Sequence, residues 1–461
     1  MPLRRRAHGG NRLLDRNGEE TEYADMNALR RSIAHVNNRY GRDVTEEETL
    51  IEKRWVKGSI LNKEINAAFA QQDDDVQNGI LSGLTTMVGK ILPLGHQNPE
   101  SPVQAKTKSR TARKSTGRYT GATGNARKAT PLKDNVSGGQ DLEFVCDISI
   151  GTPPQTFPID PDTGSADLWV VDKSCQAANC GPDSRGKFAQ KQSSTYAPIA
   201  DAPQFDLQYA IGDVSGQYAR ETVSLAGVTV QKQTIGLANK TSPDWKDDLA
   251  SGVLGLGFRA ITSNNQRPFI QNLASQGGLK KKVISFAFGR YASGTQGKSE
   301  MMLGGSNKSL FKGKISYYDV SRVAYWQTGF KQFAAGSNDG VQNMDGIFDT
   351  GTSLIAAPSQ QAAEFWKGVP NSQLSNDGTF YSYPCSQKIN AKLTMPDGRS
   401  FTLNEKDLNF GKSPNDSSKC IGSVIVASTP GQIIFGLSAL KNFYSVFDFG
   451  NNRIGFTEYS F

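Results

Sequence analysis

The chain has 461 residues, enough for at least two cored domains, and 37% hydrophobic with 21% charged residues is a globular balance. Its formal net charge of +8 is uneven: residues 1–137 hold 23 Lys and Arg against 16 Asp and Glu, leaving 29 against 28 for the rest. A nearly neutral body argues against nucleic acid as its partner, and no stretch reaches the apolar length of a membrane span.

Residues 1–30 carry Arg4-Arg5-Arg6 and scattered acids, without the apolar run of a secretory signal. After the acidic run Asp73-Asp74-Asp75, residues Ile80, Leu81, Leu84, Met87, Val88, Ile91 and Leu92 fall at helical spacing. They predict an amphipathic helix over 80–92 that packs against something, a surface or core helix at least as readily as a membrane-bound one. Between Ser101 and Lys133 nine basic residues and no acid lie among Ser, Thr and Gly. Such a segment cannot bury a core and reads as solvated chain. Beyond it, short apolar runs such as Phe144–Ile150 alternate with Gly and Pro turns, the pattern of an all-β protein.

The most informative stretch is Ile159-Asp160-Pro161-Asp162-Thr163-Gly164-Ser165-Ala166-Asp167-Leu168-Trp169-Val170, because a second copy stands at Ile347-Phe348-Asp349-Thr350-Gly351-Thr352-Ser353-Leu354. Each copy puts an Asp at the end of a strand-like run and follows it with Thr-Gly-Ser or Thr-Gly-Thr. Gly164 and Gly351 let the backbone fold close to the carboxylate, and Ser165 and Thr352 can donate a hydrogen bond to it. One such triplet would be an ordinary tight turn. Two copies, each followed by an apolar run closed by glycine (Val253 to Gly257, Ile433 to Leu437), indicate an internal duplication. If the copies meet, two carboxylates share one proton, so that one serves as base towards a water and the other as acid towards a carbonyl.

These motifs closely resemble the pepsin-like aspartic proteases, over about residues 129–461. Further matches are Gly151-Thr152-Pro153-Pro154-Gln155, Tyr325-Trp326-Gln327 and the closing run Asn442 to Phe456. The resemblance implies an all-β, bilobal double-β-barrel fold with a central cleft. Residues 1–128 would be a propeptide and basic linker, 129–312 one catalytic lobe and 313–461 the other. It further implies an aspartic endopeptidase made as a zymogen, with Asp162 and Asp349 catalytic, Ser165, Thr352, Gly164 and Gly351 supporting them, and no metal or cofactor. The propeptide would be an intramolecular inhibitor, its cation-rich linker able to sit against the acidic cleft, with Arg127-Lys128 a candidate cleavage site. Protein or peptide substrates would bind a monomer, with neither nucleic acid nor membrane as partner.

A flap hairpin is expected over Phe205–Gly216, with Tyr209 bonded to the indole of Trp169. Ile211 stands where some fungal members carry an Asp that accepts Lys before the scissile bond; Asp213 would reach that pocket only if the hairpin bulged. Of five cysteines, the resemblance pairs Cys175 with Cys180 and Cys385 with Cys420, leaving Cys146 as a buried thiol. Disulfides and the sequons at Asn135, Asn239, Asn307 and Asn415 point to a secreted or vacuolar protein, with the absent signal laid to an incomplete or misplaced N-terminus. All three histidines (His8, His35, His96) precede residue 100, so the duplicated body has no Ser-His-Asp, Cys-His or histidine-zinc site. The sequence also departs from the family. Pro161 before the first Asp is expected to distort its seat, Ser251 and Leu437 replace common Asp residues, and Ala210 replaces Gly after the flap Tyr. The departures leave a second class open, a pepsin-fold protein that binds peptides or inhibits enzymes without cleaving.

Overall fold

In the computed structural model the described residues are 23–40, 128–175, 180–181, 186–200, 202, 204–209, 212–242, 245, 249–279, 281–429 and 431–461. The helix expected over 80–92, the basic linker up to Arg127, and Ala210 and Ile211 lie outside them. The described residues belong to one compact unit.

The body is built of β-sheet, and its topology repeats. In the first copy, Gln155–Asp162 runs parallel to Gly252–Gly255, with Pro161 opposite Leu254 and Asp162 opposite Gly255. Gly252–Gly255 then pairs antiparallel with Leu168–Val171. In the second copy, Val341–Phe348 runs parallel to Ile433–Phe435, which pairs antiparallel with Ile355–Ala357. The runs 252–255 and 433–435 are apolar throughout because both faces are covered, as expected for strands in parallel pairing. Their closing glycines are required by space: a Cβ on Gly255 would sit 2.4 Å from the Ala166 carbonyl carbon, and one on Gly436 2.2 Å from the Thr352 oxygen.

The first motif lies in a nine-stranded sheet drawn from residues 133–255, the second in a seven-stranded sheet drawn from residues 327–435. A six-stranded sheet takes strands from both halves, in the order Ala129–Pro131, Glu300–Leu303, Val283–Ala287, Tyr444–Asp448, Arg453–Thr457 and Ser316–Asp319. The body is therefore bilobal and all-β, as the sequence led us to expect. Cys175–Cys180 and Cys385–Cys420 are bonded, and Cys146 is a buried thiol in Gln140–Ile150. Of the four sequons, Asn239 and Asn415 are exposed, whereas the buried Asn307 amide donates to Glu300 Oε1 at 3.0 Å.

One helix from the segment ahead of the body is described, α1 (Met26–Tyr40). Asp25 caps it by accepting from the amides of Asn27 and Ala28, both at 3.0 Å, and its other oxygen takes the Ser137 hydroxyl at 2.7 Å. Leu29, Ile33, Val36 and Tyr40 recur at helical spacing and are buried in one cluster with Ile347, Leu354, Phe410, Ile421, Ile425 and Ile434. Each such side chain contributes about 1.5–3 kcal/mol by leaving water.

A buried charge cluster ties the start of the body to its end. Lys441 donates to Asp141 at 2.6 Å and lies 3.1 Å from Asp407, which also receives Arg290 at 2.7 Å. Asp134 shares this space, but neither of its oxygens has a donor of its own. Burial, then the neighbouring Asp141 carboxyl, pushes its pKa up to about 9. Asp134 is thus protonated in the fold through a range where the unfolded chain's Asp, with pKa about 4, has ionised. Rising pH favours the unfolded chain until the folded group ionises too. Asp134→Asn is expected to reduce the fall in melting temperature between pH 5 and pH 8 by at least about 3 °C. An unchanged fall in a thermal melt would contradict this.

Candidate active site

Asp162 ends the strand Gln155–Asp162, and Asp349 follows directly on Val341–Phe348; both are fully buried. Their seats are near copies. Gly164 N donates to Asp162 Oδ1 at 2.8 Å and Gly351 N to Asp349 Oδ1 at 2.9 Å. Ser165 Oγ and Thr352 Oγ1 donate to the respective Oδ2 atoms at 2.5 Å each. The loops approach so closely that a Cβ on Gly164 would lie 2.5 Å from Asp349 Cγ, and one on Gly351 2.4 Å from Asp162 Oδ1. Only glycine fits at either place.

The two threonines lock the loops together. Thr163 N donates to Thr350 Oγ1 and Thr350 N to Thr163 Oγ1, both at 2.9 Å. Thr163 Oγ1 donates on to the Phe348 carbonyl at 2.9 Å, and Thr350 Oγ1 to that of Pro161 at 2.6 Å. The glycine-closed runs brace the loops from below, Leu256 N donating to the Asp162 carbonyl and Leu437 N to that of Thr352, both at 2.7 Å.

Pro161 does not distort the seat of Asp162, contrary to expectation. Proline removes only a backbone donor, which in the second copy Phe348 sends to the Trp326 carbonyl at 2.9 Å. The Pro161 carbonyl still accepts its threonine, and the bonds to Asp162 match those to Asp349.

Across both carboxylates lies the end of α1. Arg39 Nη1 donates to Asp162 Oδ1 at 3.0 Å and to Asp349 Oδ2 at 3.1 Å, while Nη2 donates to Asp162 Oδ2 at 2.8 Å. Tyr40 Oη donates to Asp349 Oδ2 at 3.1 Å, and its ring packs on Tyr325 with centroids 5.4 Å apart. Burial raises the pKa of Asp162; Arg39 opposes this and Asp349 adds to it. Burial acts on Asp349 the same way, but Arg39 and the hydrogen bonds from Thr352 and Gly351 outweigh it, so Asp349 lies below the usual carboxylate range. The two carboxylates titrate as one pair, on which the Arg39 charge favours ionisation and burial opposes it.

The model for eukaryotic aspartyl proteases matches residues 143–459. The chain is 32% identical to cathepsin D of Bos taurus over 360 residues, spanning 73% of this chain and 90% of that protein. It is 30% identical to vacuolar protease A of Neurospora crassa, spanning 81% and 94%, and 29% identical to major aspartyl peptidase 1 of Cryptococcus neoformans, spanning 72% of each. The chain belongs to the eukaryotic aspartyl protease family.

As a family member it keeps the pepsin-like arrangement of both Asp-Thr-Gly loops facing one another. Trp169 is fully buried, packed on Phe205 and Trp245. The flap hairpin forms, Phe205–Tyr209 pairing with Gly212–Leu225. The side chain of Tyr209 lies outside the described residues, so its bond to Trp169 stays an expectation. The pairing is regular, with Tyr209 opposite Gly212 and Asp213 opposite Gln208, and it contains no bulge. Asp213 is exposed.

Sequence reasoning missed five residues. Thr163 and Thr350 were inside the motif but carried no role, although the symmetry of the duplication was a signal for a reciprocal contact. Arg39 and Tyr40 lie 123 and 309 residues from the aspartates they meet, and no spacing rule links them. His35, set aside as lying outside the body, is brought beside Arg39 and Asp162. Its Nε2 is buried without a hydrogen-bond partner, and burial, then the Arg39 charge, pushes its pKa down to about 3.

Two groups therefore make the seat of α1 acid-sensitive. Ionised Asp349 stabilises the seat above its free pKa, and this is lost as pH falls through its depressed folded value. His35 is neutral in the seat but charges near pH 6.5 when released, so its penalty grows as pH falls from about 6.5 towards about 3. Both act in the same direction. His35→Leu is expected to lower, by about half a pH unit or more, the pH at which amides of residues 26–40 lose protection from hydrogen exchange. An unchanged midpoint would remove His35 from the trigger.

Proposed function

We propose that this protein is an acid-acting aspartic endopeptidase made as a zymogen, in which Asp162 and Asp349 activate water and α1 blocks them until the pH falls. The observation that carries the reading is Arg39 bonded to both carboxylates at once. A guanidinium there occupies the space between the carboxylates that a reacting water needs, and it neutralises the charge that would act as base.

With α1 displaced, the pair retains one proton. The ionised carboxylate takes a proton from water as the oxygen attacks the scissile carbonyl carbon, and the protonated one donates to the carbonyl oxygen. The tetrahedral diol then collapses: the C–N bond breaks, the departing amine receives a proton from the carboxyl that had acted as base, and one diol hydroxyl returns its proton to the other carboxylate as the product carboxyl forms, which restores the singly protonated pair. No covalent enzyme intermediate forms. The amides of Gly164 and Gly351 hold one oxygen of each carboxylate and the hydroxyls of Ser165 and Thr352 the other, fixing both groups in orientation for the reaction. The reading as a non-catalytic binder is not favoured, because both seats are complete.

Maturation would remove residues up to Arg127-Lys128; Ala129–Pro131 already pairs with Glu300–Leu303 in the six-stranded sheet and would serve as the mature start. A secreted or vacuolar location agrees with the two disulfides and with relatives named cathepsin D and vacuolar protease A. For specificity, the apolar face of α1 rests against Ile347, Leu354 and Ile434, beside the catalytic strands. The unbulged hairpin gives Asp213 no route to a lysine-binding position. Large apolar residues should therefore flank the cut.

Asp162→Asn and Asp349→Asn are each expected to lower activity at least about 10³-fold while leaving the melting profile near wild type, since an amide cannot take both roles. The wild type should be inhibited by pepstatin and lose activity from about pH 5 towards neutrality as the shared proton leaves. Near-full activity in either variant would end the dyad assignment. In peptide-library profiling, frequent cuts after Lys that vanish in Asp213→Ala would overturn the specificity reading.

A further inference from the structure

Beneath the flap lies an aromatic cluster separate from the main core: Trp169, Phe205, Tyr218 and Trp245, closed by Cys175 and Cys180. Tyr218 comes from the strand Gly212–Leu225, the returning arm of the flap hairpin, and packs edge-on to Phe205 with centroids 5.3 Å apart. Its hydroxyl leaves this cluster to meet Ser263 Oγ at 2.5 Å. Ser263 is fixed in turn by Asp167, its Oγ donating to Oδ1 and its amide to Oδ2, both at 3.0 Å. While Asp167 is ionised, the only hydroxyl hydrogen of Ser263 goes to it and Tyr218 is the donor to Ser263. The chain therefore runs in one direction, Tyr218 to Ser263 to Asp167.

Asp167 stands two residues after Ser165, which bonds Asp162. Its carbonyl accepts Gly255 N at 2.9 Å, and the Ser165 carbonyl accepts Gly257 N at 2.7 Å, so it belongs to the braced catalytic loop. We propose that Tyr218 and Ser263 are positioning residues that, through Asp167, fix the flap hairpin relative to the loop bearing Asp162. Neither touches the reacting atoms. Ring packing alone resists separation but permits sliding, whereas a directed hydrogen bond fixes a distance, and displacement by an ångström is costly to catalysis. Burial raises the Tyr218 hydroxyl to about 12, so it remains a donor throughout the acid range.

The inference rests on the reading of the chain as an endopeptidase, and the experiment separates the two. Acid-activated wild type, Tyr218→Phe, Ser263→Ala, Ser263→Thr and the double variant Tyr218→Phe/Ser263→Ala are assayed on a long peptide. Tyr318→Phe is the control, since it deletes a tyrosine bond to Asp397 (3.0 Å) from another sheet. Tyr218→Phe and Ser263→Ala are each expected to raise KM about fivefold and lower kcat/KM about tenfold. The double variant should be no worse than the poorer single one, Ser263→Thr should restore the wild-type constants, and Tyr318→Phe should lower the melting temperature with KM unchanged. Wild-type constants in Tyr218→Phe and Ser263→Ala would overturn the inference and leave the proposed function standing. A KM rise in Tyr318→Phe equal to theirs would also overturn it, by showing a general loss of rigidity. An inactive wild type would remove the proposed function and this inference with it.

Discussion

The structure is organised around two carboxylates confined to one buried space. At an effective dielectric of about 20, like charges about 4 Å apart repel by about 4 kcal/mol, so the pair cannot hold both charges without help. Two remedies exist, a shared proton or an added cation. The first leaves the dyad fit for catalysis, and the second is the state described here, with Arg39 between Asp162 and Asp349. A shared proton and an added guanidinium are thus alternative answers to one electrostatic deficit.

Confinement of this kind demands rigidity, and the duplication supplies it. Each loop is held by a glycine-closed strand below it and by the other loop's threonine across from it. The reciprocal Thr163–Thr350 contact joins strands that belong to different sheets. The flap hairpin and α1 each meet this frame through an apolar cluster. The flap hairpin rests on its own aromatic cluster, and α1 on a third apolar cluster. The flap's returning strand Gly212–Leu225 belongs to the nine-stranded sheet that carries Asp162, through pairing with Val228–Thr241 and Gln140–Ile150, whereas α1 meets the body mainly through side chains.

Much of this was legible in the sequence because a duplicated motif states a symmetry. Asp162 and Asp349, with their glycines and hydroxyls, read correctly as two halves of one device, and the strands around them follow from alternation and glycine punctuation. Pro161 misled because its effect was judged from the residue alone. The structure uses its carbonyl and omits the donor it lacks. Arg39 was illegible for another reason. The helix carrying it shows its amphipathic face locally, but which surface that face covers is decided by shape and charge at a sequence separation of 123 residues or more. The basic run at 101–133 drew attention by its density, whereas the cation at the dyad comes from a helix with mixed surroundings. Charge density identifies solvated chain better than it identifies a buried ion pair.

What holds α1 has a part that ignores pH and a part that follows it. The apolar contacts of Leu29, Ile33 and Val36 are indifferent to acid, so protonation can release the helix only if those contacts do not suffice alone. Two features keep them marginal. Ala24 and Ala28 are buried there with only small contact areas. A 15-residue helix is also barely stable in water by itself, so leaving the groove means melting, and the entropy gained opposes the seat. His35, one turn before Arg39 on the same helix face, and Asp349, which Arg39 meets, place the acid-sensitive groups at the end of the helix nearest the dyad. On the proposed acid-activated reading, loss of charge pairing there would free the helix terminus, and the chain entropy released by fraying would carry the opening through the rest of the helix.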